Sequence, residues 1–188
     1  MLCKCENHVV QTLDDNLLNV GFSSLKYASC VNIMSVELMV QPPEIAVVWD
    51  ALANFPNLQH LTIVNASSLE GISRCRRLAS LSATGGSYTS LPDDFIELKD
   101  TLTILDLSAT PVTELPDFIT EFHKLTQLIM KNTLLRKLPE HVGNLKNLEK
   151  LDVGHSLICS LPDSFGRLTV CVYHVIKYVE VYIVLCFV

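Results

Sequence analysis

Apolar residues recur along the chain with a period of 23 to 24 residues. Four leucines that each precede a proline are spaced by 24, 23 and 23 residues, and they are Leu91, Leu115, Leu138 and Leu161. Two further series keep these spacings, one at Leu81, Leu105, Leu128 and Leu151 and one at Tyr88, Val112, Leu135 and Ile158. Because periods of this length are typical of stacked-repeat architectures, the pattern predicts a solenoid.

Each unit combines a strand-like stretch with a turn. The spacing LxxLxL predicts a short strand whose alternate side chains face the core, with neighbouring units as parallel partners. The Leu-Pro pair predicts a turn into a short helix or 3₁₀ segment that has Pro at its first position. An acid follows each of these prolines: Asp93, Asp117, Glu140 and Asp163. One acid per repeat suits the positive end of a short helix, whereas catalysis would need two groups converging on one cleft.

The register divides the chain into three parts. Residues 1–34 are interpreted as an N-terminal cap, 35–170 as repeats and 171–188 as an atypical apolar tail. The repeats are a degenerate unit 35–57, a short unit 58–77 without the Leu-Pro turn, and the full units 78–101, 102–124, 125–147 and 148–170. The positions expected to face the core in the first two are Leu38, Val40, Ile45, Val48, Leu52 and Phe55, then Leu58, Leu61, Ile63, Leu69, Ile72 and Cys75.

The two ends depart from the repeat. In the cap, Leu13, Leu17 and Leu18 suggest a helix face, and Leu25, Ala28 and Cys30 suggest a strand. In the tail, the register predicts leucine-like residues where the chain has Cys171, His174 and Ile176. Three interpretations stay open for the tail: a last strand or hairpin that covers the end of the stack, a membrane anchor, or an aberrant ending. Its β-branched and tyrosine-rich composition favours a strand.

The unit resembles the leucine-rich repeat, LxxLxLxxNxLxxLPxxhxxLxx with h apolar. Segments LTILDLSATPVTELPDFITEF (102–122) and LEKLDVGHSLICSLPDSFGRL (148–168) fill every apolar position. The ninth position, usually Asn, differs in every unit and reads Ala66, Gly86, Thr110, Thr133 and Ser156. Thr and Ser are expected to make part of the missing backbone bonds. The Leu-Pro turn is similar to intracellular Ras-pathway scaffolds of the Scribble and Erbin group and to bacterial repeat effectors, and the Ser-x-Thr turn to plant immune receptors.

This resemblance implies an α/β repeat solenoid. The expected form is a leucine-rich repeat horseshoe with a parallel concave sheet and short helical, 3₁₀ or extended convex segments. The implied function is a non-catalytic, cytoplasmic protein–protein interaction module, a scaffold or a signalling or immune sensor fragment that binds a protein on its concave face. The expected contacts are an apolar spot with a charged rim: Ile104, Asp106, Ile129, Lys131, Lys150 and Asp152.

Composition narrows the partners. The net charge of −6 over 188 residues, without a basic stripe, argues against nucleic acid. Seven cysteines, an odd number, indicate a reducing compartment, and the absence of CxxC spacing argues against a metal site. No cofactor or small-molecule substrate is expected, and a membrane only if the tail is an anchor. The alternative function is the substrate-recognition portion of a larger enzyme such as a ubiquitin ligase.

Charge also varies along the chain. The stretch from Asp93 to Glu121 holds eight acids and one base, whereas the stretch from Lys124 to Lys150 holds six bases. Such a division would orient a charged partner and raise its association rate.

Overall fold

A single parallel sheet runs through the molecule. The computed structural model describes residues 10–13, 34–39, 49, 52, 55–168 and 171–173. In these residues eight strands pair in chain order, each parallel to the next. They are β1 Val10–Leu13, β2 Ser35–Met39, β3 His60–Val64, β4 Ser80–Thr84, β5 Ile104–Asp106, β6 Gln127–Ile129, β7 Lys150–Asp152 and β8 Cys171–Tyr173. Strands β3 to β7 follow the predicted LxxLxL stretches because each unit can bury its apolar side only against the next.

The predicted leucine ladder forms the centre of the core. Leu61, Leu81, Leu105, Leu128 and Leu151 are Cα partners across β3 to β7, and all are buried. The second predicted series is buried as well, from Tyr88 to Ile158. The six positions predicted to face the core in unit 58–77 are also buried. The buried ladders therefore keep the spacing of the repeat from residue 58 to residue 168.

Short 3₁₀ segments lie on the side opposite the sheet. In the described chain they are Ile72–Arg74, Asp93–Leu98, Asp117–Glu121, Val142–Asn144 and Asp163–Arg167. Pro92, Pro116 and Pro162 lie one position earlier than predicted, at the N-cap with an extended backbone, because their carbonyls accept the first turn bond. Glu140 departs from the predicted acid series, since the 3₁₀ segment of its unit begins only at Val142.

In several units, other side chains make a hydrogen bond to the backbone at the ninth position, where asparagine is usual. The hydroxyls of Thr110 and Thr133 donate to carbonyl oxygens three residues earlier, at 2.6 and 3.0 Å. In unit 78–101 this position is Gly86, and the hydroxyl of Tyr88 donates to the equivalent carbonyl of Ala83 instead. A Cβ on Gly86 would lie 2.5 Å from the Tyr88 ring, so the glycine makes room for the tyrosine. Burial raises the pKa of the Tyr88 hydroxyl, which therefore stays protonated.

In the N-terminal part, the structure differs from one prediction and adds one residue to the core. Leu13 lies in β1 opposite Leu38 of β2, not on a helix face, because Val10–Leu13 extends the sheet by one strand. Trp49, which the repeat pattern did not single out, is buried beside the predicted core residues Leu52 and Phe55. The predictions for Leu17, Leu18, Leu25, Ala28, Cys30, Val40, Ile45 and Val48 lie outside the described residues.

The tail begins with a strand in a different register. In β8, Val172 is the Cα partner of Leu151, which is a step of 21 residues. The predicted 23-residue step would have put His174 at this register position. An apolar residue suits the inward register of a stacked sheet better than an imidazole. Of the helices within the described residues, none has the length and apolar content needed to cross a membrane.

Candidate functional site

The outward side of the sheet carries two ladders of side chains across β3 to β7. The first ladder is His60, Ser80, Ile104, Gln127 and Lys150, and the second is Thr62, Ser82, Asp106, Ile129 and Asp152. Strands in a sheet are about 4.8 Å apart, so each ladder spans roughly 20 Å. We call this outward side the concave face. Five of the six residues predicted as the binding site belong to these ladders, and the sixth, Lys131, follows Ile129 by two residues.

The two isoleucines lie diagonally on neighbouring strands. Ile104 of β5 is opposite Gln127, and Ile129 of β6 lies between Asp106 and Asp152. Both isoleucines are half-buried. They are covered in part because each has a strand on both sides. The two isoleucines of the predicted apolar spot are therefore half-buried and diagonal to each other, and an aspartate lies at the register position on each side of Ile129.

Both aspartates hold the turn that follows their strand. One carboxylate oxygen of Asp106 accepts hydrogen bonds from the amide and the hydroxyl of Ser108, at 2.9 and 2.6 Å. Asp152 accepts the amide of Gly154 in the same way, at 3.2 Å. An aspartate that binds a backbone amide two residues later forms an Asx turn. The prediction of a charged rim did not include this role, although the spacings Asp-x-Ser and Asp-x-Gly are its signal.

Asp152 corrects the predicted charged rim. This carboxylate is 5% exposed, because Lys131 covers it with an ammonium group 3.0 Å away. The Lys131 side chain itself is 50% exposed, and Lys150 is half-buried. A partner would therefore meet the two lysines directly and Asp152 only through Lys131.

A left-handed residue ends the outward stretch of each described unit. Positive φ angles occur at Asn65, Gly85, Ala109, Asn132 and His155, which are one repeat apart and exposed. Ala109 is the unusual member, with φ 58°, because alanine has no side-chain bond to offset the steric cost. The Asx turn of Asp106 and Ser108 precedes it directly and restrains the same loop.

Metal binding and cysteine reactivity depend on the positions of a few side chains among the described residues. Among them, no group of three or more His, Cys, Asp and Glu side chains is placed to hold a metal ion. Cys75 is buried, and burial raises the pKa of its thiol to about 11, so it stays protonated near neutral pH. Cys159 is exposed and unpaired.

Solved structures share this architecture. Neither a family model nor a curated protein matches the chain by sequence. The Arabidopsis receptor kinase HAESA, solved with the peptide hormone IDA and the co-receptor SERK1, is 19% identical, with TM-score 0.59, over 87% of this chain and 28% of its own.

Two further structures are similar. The plant peptide hormone receptor RGFR1, solved with RGF2, is 18% identical, with TM-score 0.56, over 73% of this chain and 23% of its own. The leucine-rich repeat protein LIC12759 of Leptospira interrogans is 17% identical, with TM-score 0.53, over 88% of this chain and 58% of its own. The chain thus spans less than two thirds of each of these proteins. Together with the parallel sheet and the 3₁₀ segments, the likeness shows that this chain folds as a leucine-rich repeat solenoid.

Proposed function

We propose that the protein is a non-catalytic interaction module that binds a protein partner on its concave face. One observation carries the proposal: Ile104 and Ile129 leave part of their apolar surface open on the outward side of the sheet, among charged side chains. The centre of a protein interface is typically apolar and its rim polar. The proposed contact residues are Ile104, Asp106, Ile129, Lys131, Lys150 and Asp152.

The charged residues contribute in different ways. The ion pair with Asp152 restrains the ammonium of Lys131, which follows Ile129 by two residues. A restrained cation loses less conformational freedom when a partner binds. Asp106 and Asp152 act mainly by fixing the turns at the strand ends. The net charge of −6 favours a protein partner over a nucleic acid.

Two of the similar structures support the proposal of an interaction module. HAESA is solved in complex with the peptide hormone IDA and a co-receptor, and the plant peptide hormone receptor RGFR1 in complex with RGF2. We assign the module to the cytoplasm as a scaffold or a signalling or immune sensor. The odd cysteine number supports this, as do the unpaired thiols of Cys75 and Cys159.

The test is quantitative affinity capture with concave-face variants. The immobilised wild-type chain, the double variant Ile104→Ser/Ile129→Ser and the control Glu97→Ser are compared in the same extract. Glu97 is exposed on the 3₁₀ segment Asp93–Leu98, opposite the sheet. We expect the double variant to lose a partner that the wild type and the control retain. Burial of an isoleucine is worth about 1.5 to 3 kcal/mol, so the affinity should fall at least about tenfold.

A matched thermal unfolding experiment separates binding from folding. Both isoleucines are half-buried on the surface, so the double variant should remain folded at the temperature of capture. If the double variant retains the partner as well as the control does, the concave face is not the binding surface.

A further inference from the structure

Two neighbouring leucines are exposed away from the concave face. Leu134 is 47% exposed and Leu157 is 45% exposed, and they occupy the same position of successive units. Within residues 55–168 no other large apolar side chain is exposed. Single exposed apolar residues are common, whereas adjacent ones often mark a contact surface.

The leucines belong to extended segments that run side by side. The amide of Arg136 donates to Thr113 at 3.1 Å, and the amide of Leu157 donates to Leu135 at 2.9 Å. We call residues 111–114, 134–137 and 157–160 the outer ribbon. Leu134 and Arg136 are exposed, whereas Leu135 between them is buried. The apolar pair therefore lies next to a cation.

An open groove of about 540 Å³ lies along the outer ribbon. It is lined by Thr113, Glu114, Arg136, Lys137, Cys159 and Ser160. Arg136 and Lys137 are exposed, and neither forms an ion pair with any described residue. Glu114 is the single acid in the lining. The lining of this groove therefore carries two unpaired cations against one carboxylate.

We propose that the outer ribbon is a docking surface for an acidic partner segment. Apolar side chains of that segment cover Leu134 and Leu157, and its carboxylates contact Arg136 and Lys137. Charge complementarity determines the class of partner, because unpaired cations beside an apolar pair repel a basic segment. The surface is distinct from the concave face, and its occupancy does not require binding there.

A second copy of the chain fits the surface less well. Two copies that met through their leucines would bring Arg136 and Lys137 of each copy close to the same cations of the other. The acidic stretch 93–121 of another copy would supply carboxylates, but it has no exposed large apolar side chain. An acidic segment of a different protein can combine both features.

The test is a fluorescence-polarisation titration of the full chain with two labelled peptide pools. Both pools contain the same fixed leucines, flanked by Asp and Glu in one pool and by Lys and Arg in the other. We expect the acidic pool to bind and the basic pool to fail. The double variant Leu134→Ser/Leu157→Ser should weaken binding at least about tenfold. Arg136→Gln/Lys137→Gln should weaken it and reduce its dependence on salt.

The concave-face variant Ile104→Ser/Ile129→Ser is the matched control and should bind the acidic pool like the wild type. If this variant abolishes peptide binding and the leucine variant does not, the concave proposal survives and the outer-ribbon proposal fails. Equal binding of both pools, or binding of neither, also overturns it.

Two other occupants give different results. Self-association that disappears in the leucine variant would identify a second copy as the occupant. Adsorption to anionic phosphatidylserine vesicles without peptide binding would identify a lipid surface. Either result overturns the proposal of an acidic peptide partner. Because both leucines are exposed, the thermal unfolding midpoint of their variant should stay close to that of the wild type.

Discussion

The short unit 58–77 and the Leu-Pro units make the same turn by different means. In unit 102–124, the amide of Ile119 donates to the carbonyl of Pro116 at 3.0 Å. In the short unit, the amide of Ile72 donates to Leu69 at 3.2 Å, although no proline is present. The bond that starts the 3₁₀ segment is therefore common to both kinds of unit, and the residues that support it differ.

Neighbouring units hold the turn of the short unit. Gly71 has φ 91°, and one carboxylate oxygen of Asp94 accepts both its amide, at 3.1 Å, and the hydroxyl of Ser73, at 2.8 Å. Trp49 packs against Gly71 from the preceding unit. Pro116 needs less help because its ring fixes φ near the observed −65°. The stack can therefore replace a local conformational restraint with contacts from both sides.

The largest expected effect comes from a tight contact between two Leu-Pro units. A Cβ on Gly143 would overlap the carbonyl oxygen of Ser164 in the next unit. Gly143→Ala should lower the free energy of unfolding by about 3 kcal/mol, which urea denaturation would measure. Gly166→Ala is the control, since a Cβ there meets nothing within 4 Å. Equal effects of the two substitutions would show that units 125–147 and 148–170 can move apart at this contact without a loss of unfolding free energy.

Removal of the Asp94 carboxylate should break the short unit selectively. Asp94→Ala leaves the Gly71 amide and the Ser73 hydroxyl without their acceptor, at a cost of about 2 kcal/mol in unfolding free energy. Glu97→Ala on the same 3₁₀ segment should be close to neutral, since Glu97 is exposed. The same denaturation experiment compares them, and a neutral Asp94→Ala would mean that the short unit holds its turn alone.

A side chain at Gly71 should cost slightly less. The left-handed backbone disfavours alanine, and its Cβ would be 3.4 Å from Trp49, an ordinary contact distance. Gly71→Ala should therefore lower the unfolding free energy by about 1.5 kcal/mol through backbone strain. Calorimetric melting would measure it, and an unchanged midpoint would argue against the strain.

Replacement of the proline should have a smaller effect. Pro116→Ala keeps the carbonyl that accepts from Ile119 and only increases the freedom of the unfolded chain. The expected loss is about 0.5 kcal/mol. If the loss instead matched that of Asp94→Ala, the turn of the Leu-Pro units would depend on its proline as strongly as the turn of the short unit depends on Asp94.

Thiol labelling distinguishes the short unit from unit 148–170 without relying on a change in stability. At pH 8, Cys159 of unit 148–170 should react with iodoacetamide, whereas Cys75 of the short unit should not, because Cys75 is buried with a pKa of about 11. Its thiolate fraction rises only as the pH approaches 11 or when the short unit opens. Asp94→Ala should accelerate the labelling of Cys75 and leave that of Cys159 unchanged, as peptide mapping would show.

The candidate site was predicted less completely than the fold. The strand positions of Ile104, Ile129 and Lys150 followed from the repeat register, because an LxxLxL stretch fixes which residues face outward. The burial of Asp152 did not follow, since it depends on Lys131, which the stacking of units brings within 3.0 Å. The turn role of Asp106 was readable from its spacing to Ser108, but the residue was interpreted as a rim charge.

The sequence by itself determined the repeat length, the strand positions and the buried ladders, because each depends on the spacing of apolar residues within one unit. Only the tertiary structure decided that the Asp94 carboxylate accepts the Gly71 amide, and that the Tyr88 hydroxyl makes the hydrogen bond for which Gly86 has no side chain. The exposure of Leu134 and Leu157 was likewise decided by the tertiary structure. These features depend on which atoms of neighbouring units meet after stacking. The physical reason is that periodicity specifies the face on which a residue lies, whereas distance, burial and pairing arise only between faces that have been brought together.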